Sequence, residues 1–359
     1  MGVHRAAVGP GTPPLVPGPH REEVDMTVHT QGATPVAEES PPPGTKEPAG
    51  GGRSGGKGAR GRRTGNAAWL PYALIAPAVV SLLAFLGYPL VRNILLSTQQ
   101  LGRTEMISRK TVWTGLSNYT DLLTNDAFWT VVVRTFLFMA VNVVLIMVFG
   151  TLIGVLLGRL GKKMRLLLSL SLVMAWAMPI VASATVFRWL FDTQFGVMNW
   201  VMRSLGFEGY EQHNWFESGF STLTIVTVMI VWASVPFVAL NLYAGLTTIS
   251  GELYEAARVD GASNWRLFRS VVLPMMKPFF LITTFLEIIW VFKAFAQIVA
   301  LNGGGPDRAS ETLPVFAYVE GMAQMNFGTA AAASVLTILV LLIAMSFYFR
   351  LILKQEEEQ

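Results

Sequence analysis

Long stretches without a charged residue constrain this chain more than any other feature of its sequence. Five such stretches occur, and each is long enough to cross a bilayer, since about 20 mostly apolar residues span roughly 30 Å of hydrocarbon. A sixth apolar segment, 278–300, is interrupted only by Glu287 and Lys293. The alternating pattern of a membrane β-barrel does not occur, which leaves helices that satisfy their own backbone groups in lipid. The five uncharged stretches are 64–91, 135–158, 166–187, 218–251 and 321–349.

These stretches predict an all-α polytopic membrane protein with six transmembrane helices. Composition agrees, because 52% of the residues are hydrophobic and only 14% are charged, whereas soluble domains carry roughly 25% charged residues. Pro179 and Pro236 are each expected to break their helix locally, or to produce a simple packing kink. The spans are predicted near 69–96, 128–158, 166–190, 220–246, 278–300 and 330–353.

Several kinds of chemistry are excluded by residue usage. The chain has no cysteine, so it forms no disulfide, no thiolate zinc site and no cysteine nucleophile. Beyond the first 29 residues His213 is the single histidine, which excludes a histidine metal cage, and we predict no metal site. The net charge of +4 includes no basic block long enough to indicate nucleic-acid binding.

Lysine and arginine asymmetry predicts the orientation. With the N-terminus inside, the inside segments carry 15 lysines and arginines and the outside loops carry 5. Positive charge concentrates on the cytoplasmic side of membrane proteins. Both termini are therefore predicted to be cytoplasmic.

The first 65 residues differ in composition from the rest. They contain 10 of the 19 prolines and 14 of the 33 glycines, and such a segment cannot bury enough apolar surface to order itself. A G-x-x-x-x-G-K string at 51–57 is followed by Gly58, where a phosphate-binding loop requires Ser or Thr. We predict a disordered cytoplasmic tail at 1–65, a first transmembrane helix with its outside loop at 66–126, and an acidic cytoplasmic tail at 354–359.

The predicted inside loop at 251–274 is the most informative segment. Its pattern indicates two short helices joined at Gly261, with Ser250 and Ser263 as N-caps. Trp265 and Phe268 would be apolar residues on a cytoplasmic loop, and exposed aromatic residues of this kind indicate contact with a partner protein or the membrane interface.

The same segment resembles the EAA signature of bacterial ABC importer permeases. Glu255, Ala256 and Ala257 are followed at the family's spacing by Gly261 and by Leu273-Pro274, and Val271 stands where the signature has Ile. Further segments resemble the carbohydrate-uptake, maltose-type branch. They are Gly115-Leu116-Ser117-Asn118-Tyr119, Phe128-Trp129, Asp260-Gly261-Ala262-Ser263 and Asn302-Gly303-Gly304-Gly305-Pro306.

The resemblance implies a fold and a role. The fold would be that of type I ABC importer permeases, with a transmembrane core at 127–353 that contains a coupling helix at 251–274. That helix would dock on a cytoplasmic ATPase. The residues predicted to couple to the ATPase are Glu255, Ala256, Ala257, Asp260, Gly261, Ala262, Trp265, Leu273 and Pro274.

The resemblance also implies partners. The chain would form the path for a sugar or oligosaccharide delivered by an extracytoplasmic binding protein, in the bacterial cytoplasmic membrane. It would pair with a second homologous permease and two ATPase subunits. ATP and Mg would bind those ATPase subunits, so this chain would carry no cofactor and no catalytic residue.

Candidate path residues are polar, charged or aromatic side chains within the later spans. Intramembrane charges face a bundle interior or water, so Glu287 and Lys293 either pair with other helices or line the path. Tryptophans could stack on sugar rings or anchor the chain at the membrane interface. The path candidates are Trp232, Asn241, Glu287, Trp290, Lys293 and Gln297, and the candidates for contact with the binding protein are Gly303, Gly304, Gly305 and Pro306.

Other functions remain open at this point. An importer of another polar solute, such as a glycerol-phosphate, would share these motifs. An ion-coupled secondary transporter would be expected to show repeats and carboxylates at the membrane midplane, and Glu287 is the single intramembrane carboxylate. A membrane-embedded enzyme would need clustered acids on a loop, whereas Glu208, Glu211 and Glu217 are scattered.

Overall fold

The computed structural model describes residues 70–357. The predicted tail at 1–65 and the last residues of the acidic tail lie outside the described residues. Within the described part the regular secondary structure is helical apart from two short strands, β1 (Gln99–Gln100) and β2 (Val112–Trp113), which pair antiparallel. The all-α prediction is confirmed.

Five helices of the described part are long and apolar enough to cross a membrane, and the number of spans is six when one bent pair of helices is counted as a single span. The five are Tyr72–Ser97, Asp126–Arg159, Gly219–Thr247, Asn264–Phe292 and Phe327–Lys354. The individual helices are α1 (Leu70–Leu82), α2 (Tyr88–Ser97), α3 (Arg103–Ser108), α4 (Ser117–Leu123), α5 (Asp126–Arg159), α6 (Lys162–Trp176), α7 (Ile180–Leu190), α8 (Val197–Ser204), α9 (Gly219–Thr247), α10 (Gly251–Val259), α11 (Asn264–Leu267), α12 (Leu273–Phe292), α13 (Ala296–Asn302), α14 (Leu313–Tyr318) and α15 (Phe327–Glu357), with π-helical turns at Leu83–Gly87, Phe268–Val272 and Val319–Ala323 and a 3₁₀ turn at Glu208–Tyr210.

The third predicted span is two helices rather than one. Helices α6 and α7 meet at an angle of 95°. Pro179 is the N-cap of α7 and has an extended ψ of 136°. The residue before a proline avoids helical dihedrals, so the helix stops there and the chain changes direction. Pro236 behaves differently, because α9 continues through it without a break.

The predicted bounds of the fifth span, 278–300, are wrong. The helix begins at Asn264, runs through the π turn Phe268–Val272 and ends at Phe292. The second short helix predicted for the inside loop is therefore the start of this span, so Leu273 and Pro274 lie within it. A π turn accommodates a locally disturbed hydrogen-bond ladder, and here it ends two residues before Pro274, which has no backbone N–H to donate.

The core of the bundle lies between α5 and α9. An added Cβ at Gly150 would lie 2.5 Å from a side-chain carbon of Val238, and one at Gly154 would lie 3.0 Å from the carbonyl oxygen of Ala239. Both glycines thus allow the two backbones to approach closely, as small residues do between membrane helices. Large buried side chains such as Ile146 and Met229 fill the neighbouring layers.

Candidate functional site

The segment 250–265, called the inner loop after its predicted orientation, carries the first part of the matched signature, through Gly261. Its helix α10 begins after Ser250 and contains no buried residue. Ser250 has N-cap dihedrals, although its side chain makes no capping hydrogen bond. Ser263 accepts a hydrogen bond from the backbone N–H of Arg266 at 3.3 Å, which confirms it as the N-cap of the next helix.

Gly261 shapes the turn after α10. Its φ is +75°, in the left-handed region that glycine adopts without a steric penalty. The backbone N–H of Ala262 donates to the carbonyl oxygen of Ala257, and that of Gly261 donates to Arg258, each at 3.0 Å. These bonds complete a glycine C-cap, which fixes the angle between α10 and the fifth span.

The inner loop has one attached face and one exposed face. Tyr254, Ala257 and Ala262 pack against the main core cluster. On the other side Val259 is 87% exposed and Trp265 is 69% exposed. An apolar surface of this kind, next to a rigidly capped turn, is available to a partner protein. Among the remaining predicted coupling residues, Glu255, Ala256, Asp260 and Gly261 are exposed as well.

The candidate path residues fall into two groups. Asn241 on α9 donates to the hydroxyl of Thr283 on α12 at 2.5 Å, and Glu287, one turn farther along α12, is 4% exposed and interacts with Ser234 of α9. Both therefore lie at the α9–α12 interface, and one carboxylate oxygen of Glu287 has no hydrogen-bond partner among the described residues.

The second group faces outward from this chain. The Lys293 ammonium lies 5.1 Å from the ring centre of Trp290, and both side chains are exposed. Trp232 is also exposed and contacts the Phe187 ring, while Gln297 on α13 is half-buried. The structure thus does not bring the six candidates together in one lining within this chain.

The opposite end of the bundle contains a charged cluster that sequence reasoning missed. Arg308 makes two ion pairs at 2.8 Å, one with Glu311 and one with Glu320. Glu311 is 1% exposed, and burial raises the pKa of its carboxyl group above the ordinary value while Arg308 acts in the opposite direction. Together with Arg134, these residues form what we call the outer cluster.

Arg134 and Thr135 of α5 form hydrogen bonds with the backbone of the segment that carries the outer cluster. The Arg134 guanidinium donates to the carbonyl oxygens of Arg308 and Glu311, both at 3.1 Å. The Thr135 hydroxyl accepts the backbone N–H of Leu313 at 2.9 Å, which satisfies one of the free donors at the start of α14. Arg134 is the one residue whose sequence position could have indicated this cluster, because a charge within the predicted span 128–158 requires a partner.

The Gly303–Pro306 segment packs partly inward. Gly303 is exposed with a φ of +61°, whereas Gly304 is buried with a φ of +89°. The carbonyl oxygens of Gly304 and Gly305 accept hydrogen bonds from Ser310. These residues hold the outer cluster in place, and of the four predicted contact residues only Gly303 is fully exposed.

Comparison with known proteins identifies the family. Residues 150–355, more than half of the chain, match the family of binding-protein-dependent transport system inner membrane components. The chain belongs to this family. The permease is accordingly a multi-pass subunit of the cytoplasmic membrane, part of an ABC importer, and not an enzyme, because ATP hydrolysis belongs to a separate subunit.

Three relatives indicate the branch. The permease is 52% identical to the diacetylchitobiose uptake system permease protein DasB of Streptomyces coelicolor, over 90% of this chain and 99% of the relative. It is 30% identical to the sulfoquinovosyl glycerol transport system permease protein SmoG of Agrobacterium fabrum, over 79% and 90%. It is also 30% identical to the trehalose/maltose transport system permease protein MalF of Thermococcus litoralis, over 77% and 90%.

A solved structure shows the same fold. A chain from a bacterial ABC transporter involved in the import of the acidic polysaccharide alginate has a TM-score of 0.68 to the permease at 18% identity. The match covers 79% of the permease and 94% of that chain. The predicted ABC importer permease fold is therefore confirmed.

Among residues 70–357, no group of three or more His, Cys, Asp or Glu side chains is placed to hold a metal ion. The outer cluster contains two carboxylates, and both pair with Arg308.

Proposed function

We propose that the permease forms the membrane path for an oligosaccharide of the diacetylchitobiose type. The observation that carries this proposal is the 52% identity to a diacetylchitobiose permease over nearly the whole of both chains. Relatives named for other sugars are about 30% identical. The extra similarity favours a substrate close to that of the more similar relative over a glycerol-phosphate.

The proposed assembly contains a second homologous permease, two cytoplasmic ATPase subunits with their ATP and Mg, and one extracytoplasmic binding protein. A binding protein with two different lobes is matched better by two different permeases than by two copies of one. The exposed aromatic residues of this chain, Trp232 and Trp290 among them, are then available to face the path or the second permease. Glu287 and Asn241 would support the path from the α9–α12 interface.

The inner loop is proposed to be the ATPase-coupling element, with both termini in the cytoplasm. Its exposed face, with Val259 and Trp265, suits a groove on a partner, and its attached face transmits movement of α10 to the core. The charge bias that predicts a cytoplasmic inner loop supports this placement. Contact of the Gly303–Pro306 segment with the binding protein is proposed on the opposite side.

Uptake measurements test the substrate and the energy source together. Radiolabelled diacetylchitobiose would be supplied to cells that lack the gene and to cells that carry it, with unlabelled diacetylchitobiose, maltose or glycerol 3-phosphate as the competitor. We expect uptake only in complemented cells, competition by unlabelled diacetylchitobiose alone, and loss of uptake when the ATPase subunit is removed. Competition by glycerol 3-phosphate would contradict the substrate proposal, and uptake without the ATPase would indicate an ion-coupled transporter.

A further inference from the structure

A cavity of about 650 Å³ opens beside the inner loop. Its walls come from the end of α5, the start of α6, the end of α9, and helices α10 and α11. The cavity thus lies at the level where the spans leave the predicted cytoplasmic face of the membrane. It touches none of the residues that the sequence assigns to the sugar path.

The polar wall of this cavity is basic. Arg159, Arg165 and Arg258 all line it, and no aspartate or glutamate does. Arg165 donates to the carbonyl oxygens of Leu157 and Leu160 at the end of α5 and lies over the Tyr243 ring. The side chains of Arg159 and Arg258 make no hydrogen bond or ion pair with any described side chain of residues 70–357, so their charge is available to a ligand.

Two further polar groups suit an anion. Tyr254 and Asn264 line the same cavity. The Tyr254 hydroxyl can donate a hydrogen bond, and burial raises the pKa of this phenol above its ordinary value. The arrangement of guanidinium, hydroxyl and amide donors around an acid-free space is typical of a site for phosphate oxygens.

The opposite wall of the cavity is apolar. It is formed by Val155, Leu246, Leu267, Phe268 and Val272. The space beyond this wall, toward Leu242 and Met276, measures only about 10 Å³, so the apolar part of a ligand would have to lie within the cavity itself. A basic wall facing an apolar wall, at the level where the spans leave the membrane, matches the headgroup and the glycerol end of a phospholipid.

We propose that this cavity binds the phosphate headgroup of an anionic phospholipid from the cytoplasmic leaflet, with the glycerol end of the lipid against the apolar wall of the cavity. The headgroup would bridge α5 and α10 through Arg159 and Arg258. The bound lipid would therefore hold the inner loop against the core. The proposal does not depend on which sugar the importer carries.

Lipid binding by the purified, assembled importer tests the proposal. The protein would be placed in neutral detergent with phosphatidylcholine or phosphatidylglycerol, and bound lipid would be counted by native mass spectrometry while the melting temperature is followed. We expect phosphatidylglycerol to bind and to raise the melting temperature more than phosphatidylcholine does. Each of Arg159→Gln and Arg258→Gln should weaken phosphatidylglycerol binding about fivefold, because one basic residue near an anionic surface contributes about that factor.

The matched control is the double variant Lys162→Gln/Lys163→Gln. It removes two charges from exposed positions close to Arg165 that do not line the cavity, and it should leave binding unchanged. Tyr254→Phe, which keeps the ring and removes only the hydroxyl, gives a second test if an arginine variant does not assemble, and it should also weaken binding. Equal loss in the lysine variant, equal binding of phosphatidylcholine, or the same stabilisation by inorganic phosphate alone would overturn the proposal.

Discussion

Charged side chains are paired and partly buried in the outer cluster but exposed in the inner loop. In the outer cluster the charged side chains pair within the chain, and one of them, Glu311, is almost completely buried. In the inner loop, helix α10 buries no residue, and Glu255, Arg258 and Asp260 are all exposed. The outer end therefore stabilises the chain itself, whereas the inner end presents groups to other molecules.

We therefore expect variants of the outer cluster to change the stability of the protein, and variants of the inner loop to change its coupling to the ATPase. A buried ion pair that loses one partner leaves an uncompensated charge in a low-dielectric environment. An exposed loop that loses a charge gains or loses little in the free energy of unfolding, although it can lose a partner. Variants at the two ends should consequently differ in what they damage.

The largest effect is expected from Glu255→Lys or Gly261→Pro in the inner loop. The first reverses a charge on α10, and the second forces φ to about −65° at a position where it is +75°. Transport should fall by at least about tenfold, the factor that corresponds to about 1.4 kcal/mol, while membrane insertion and melting temperature stay near wild type. Transport and coupled ATPase activity at wild-type rates would show that the inner loop does not couple to the ATPase.

The next effect, on stability rather than on transport, is expected from Arg308→Met in the outer cluster. Glu311 and Glu320 would lose their shared partner. Because the Arg308 side chain is 39% exposed and solvent screens it, the cost is expected to lie below that of a fully buried pair, which is about 3–5 kcal/mol. The melting temperature in detergent should fall clearly, and Arg308→Met/Glu311→Gln should recover part of the loss. The control is Arg203→Met, because the Arg203–Glu211 pair at 3.7 Å joins two exposed side chains and is expected to contribute under about 1 kcal/mol.

Arg134→Met should have an intermediate effect at the same end. It removes both hydrogen bonds to the carbonyl oxygens of Arg308 and Glu311, and bonds to charged groups contribute about 1.5–3 kcal/mol. Because the chain has no cysteine, a single cysteine introduced at Asp307 can report loosening of the loop by its labelling rate. We expect faster labelling in Arg134→Met and an unchanged rate in Arg188→Met, whose arginine is exposed.

The smallest effect is expected from Ser263→Ala in the inner loop. It removes the hydrogen bond to the Arg266 N–H, and loss of an N-cap costs about 1 kcal/mol. Because the loop is exposed, hydrogen exchange of residues 264–268 should accelerate while global melting barely changes. Ser250→Ala is the control, since the Ser250 side chain makes no capping bond. A large global destabilisation by Ser263→Ala would contradict the contrast between the two ends.

Much of the fold could be predicted because lipid imposes local rules. Length and apolarity of each uncharged stretch predict its span whatever the other spans do, and the spacing of glycine and serine predicted the turn at Gly261 and the cap at Ser263. The fifth span shows the limit of this reasoning. Hydropathy placed it by its apolar centre, whereas the helix begins 14 residues earlier, at Asn264 rather than 278, because a π turn allows it to continue into Pro274.

The candidate sites also differ in how far they could be predicted from the sequence. The inner loop carries a contiguous pattern, so its residues could be named from the sequence, although their role remains a proposal. The outer cluster could not be named, since Arg134 lies far along the chain from the carbonyl groups it binds. The basic cavity could not be predicted from the sequence either, because its arginines belong to three separate helices or helix ends.

The sequence by itself therefore determined the membrane class, the approximate spans and the family, because each depends on local composition or contiguous motifs. Only the tertiary structure decided the 95° bend between α6 and α7, the pairing that buries Glu311, and the cavity beside α10. The physical reason is that these features depend on contacts between residues far apart in the chain. Arg134 and Glu311, for example, are separated by 177 positions, and no local pattern specifies that the folded helices bring them together.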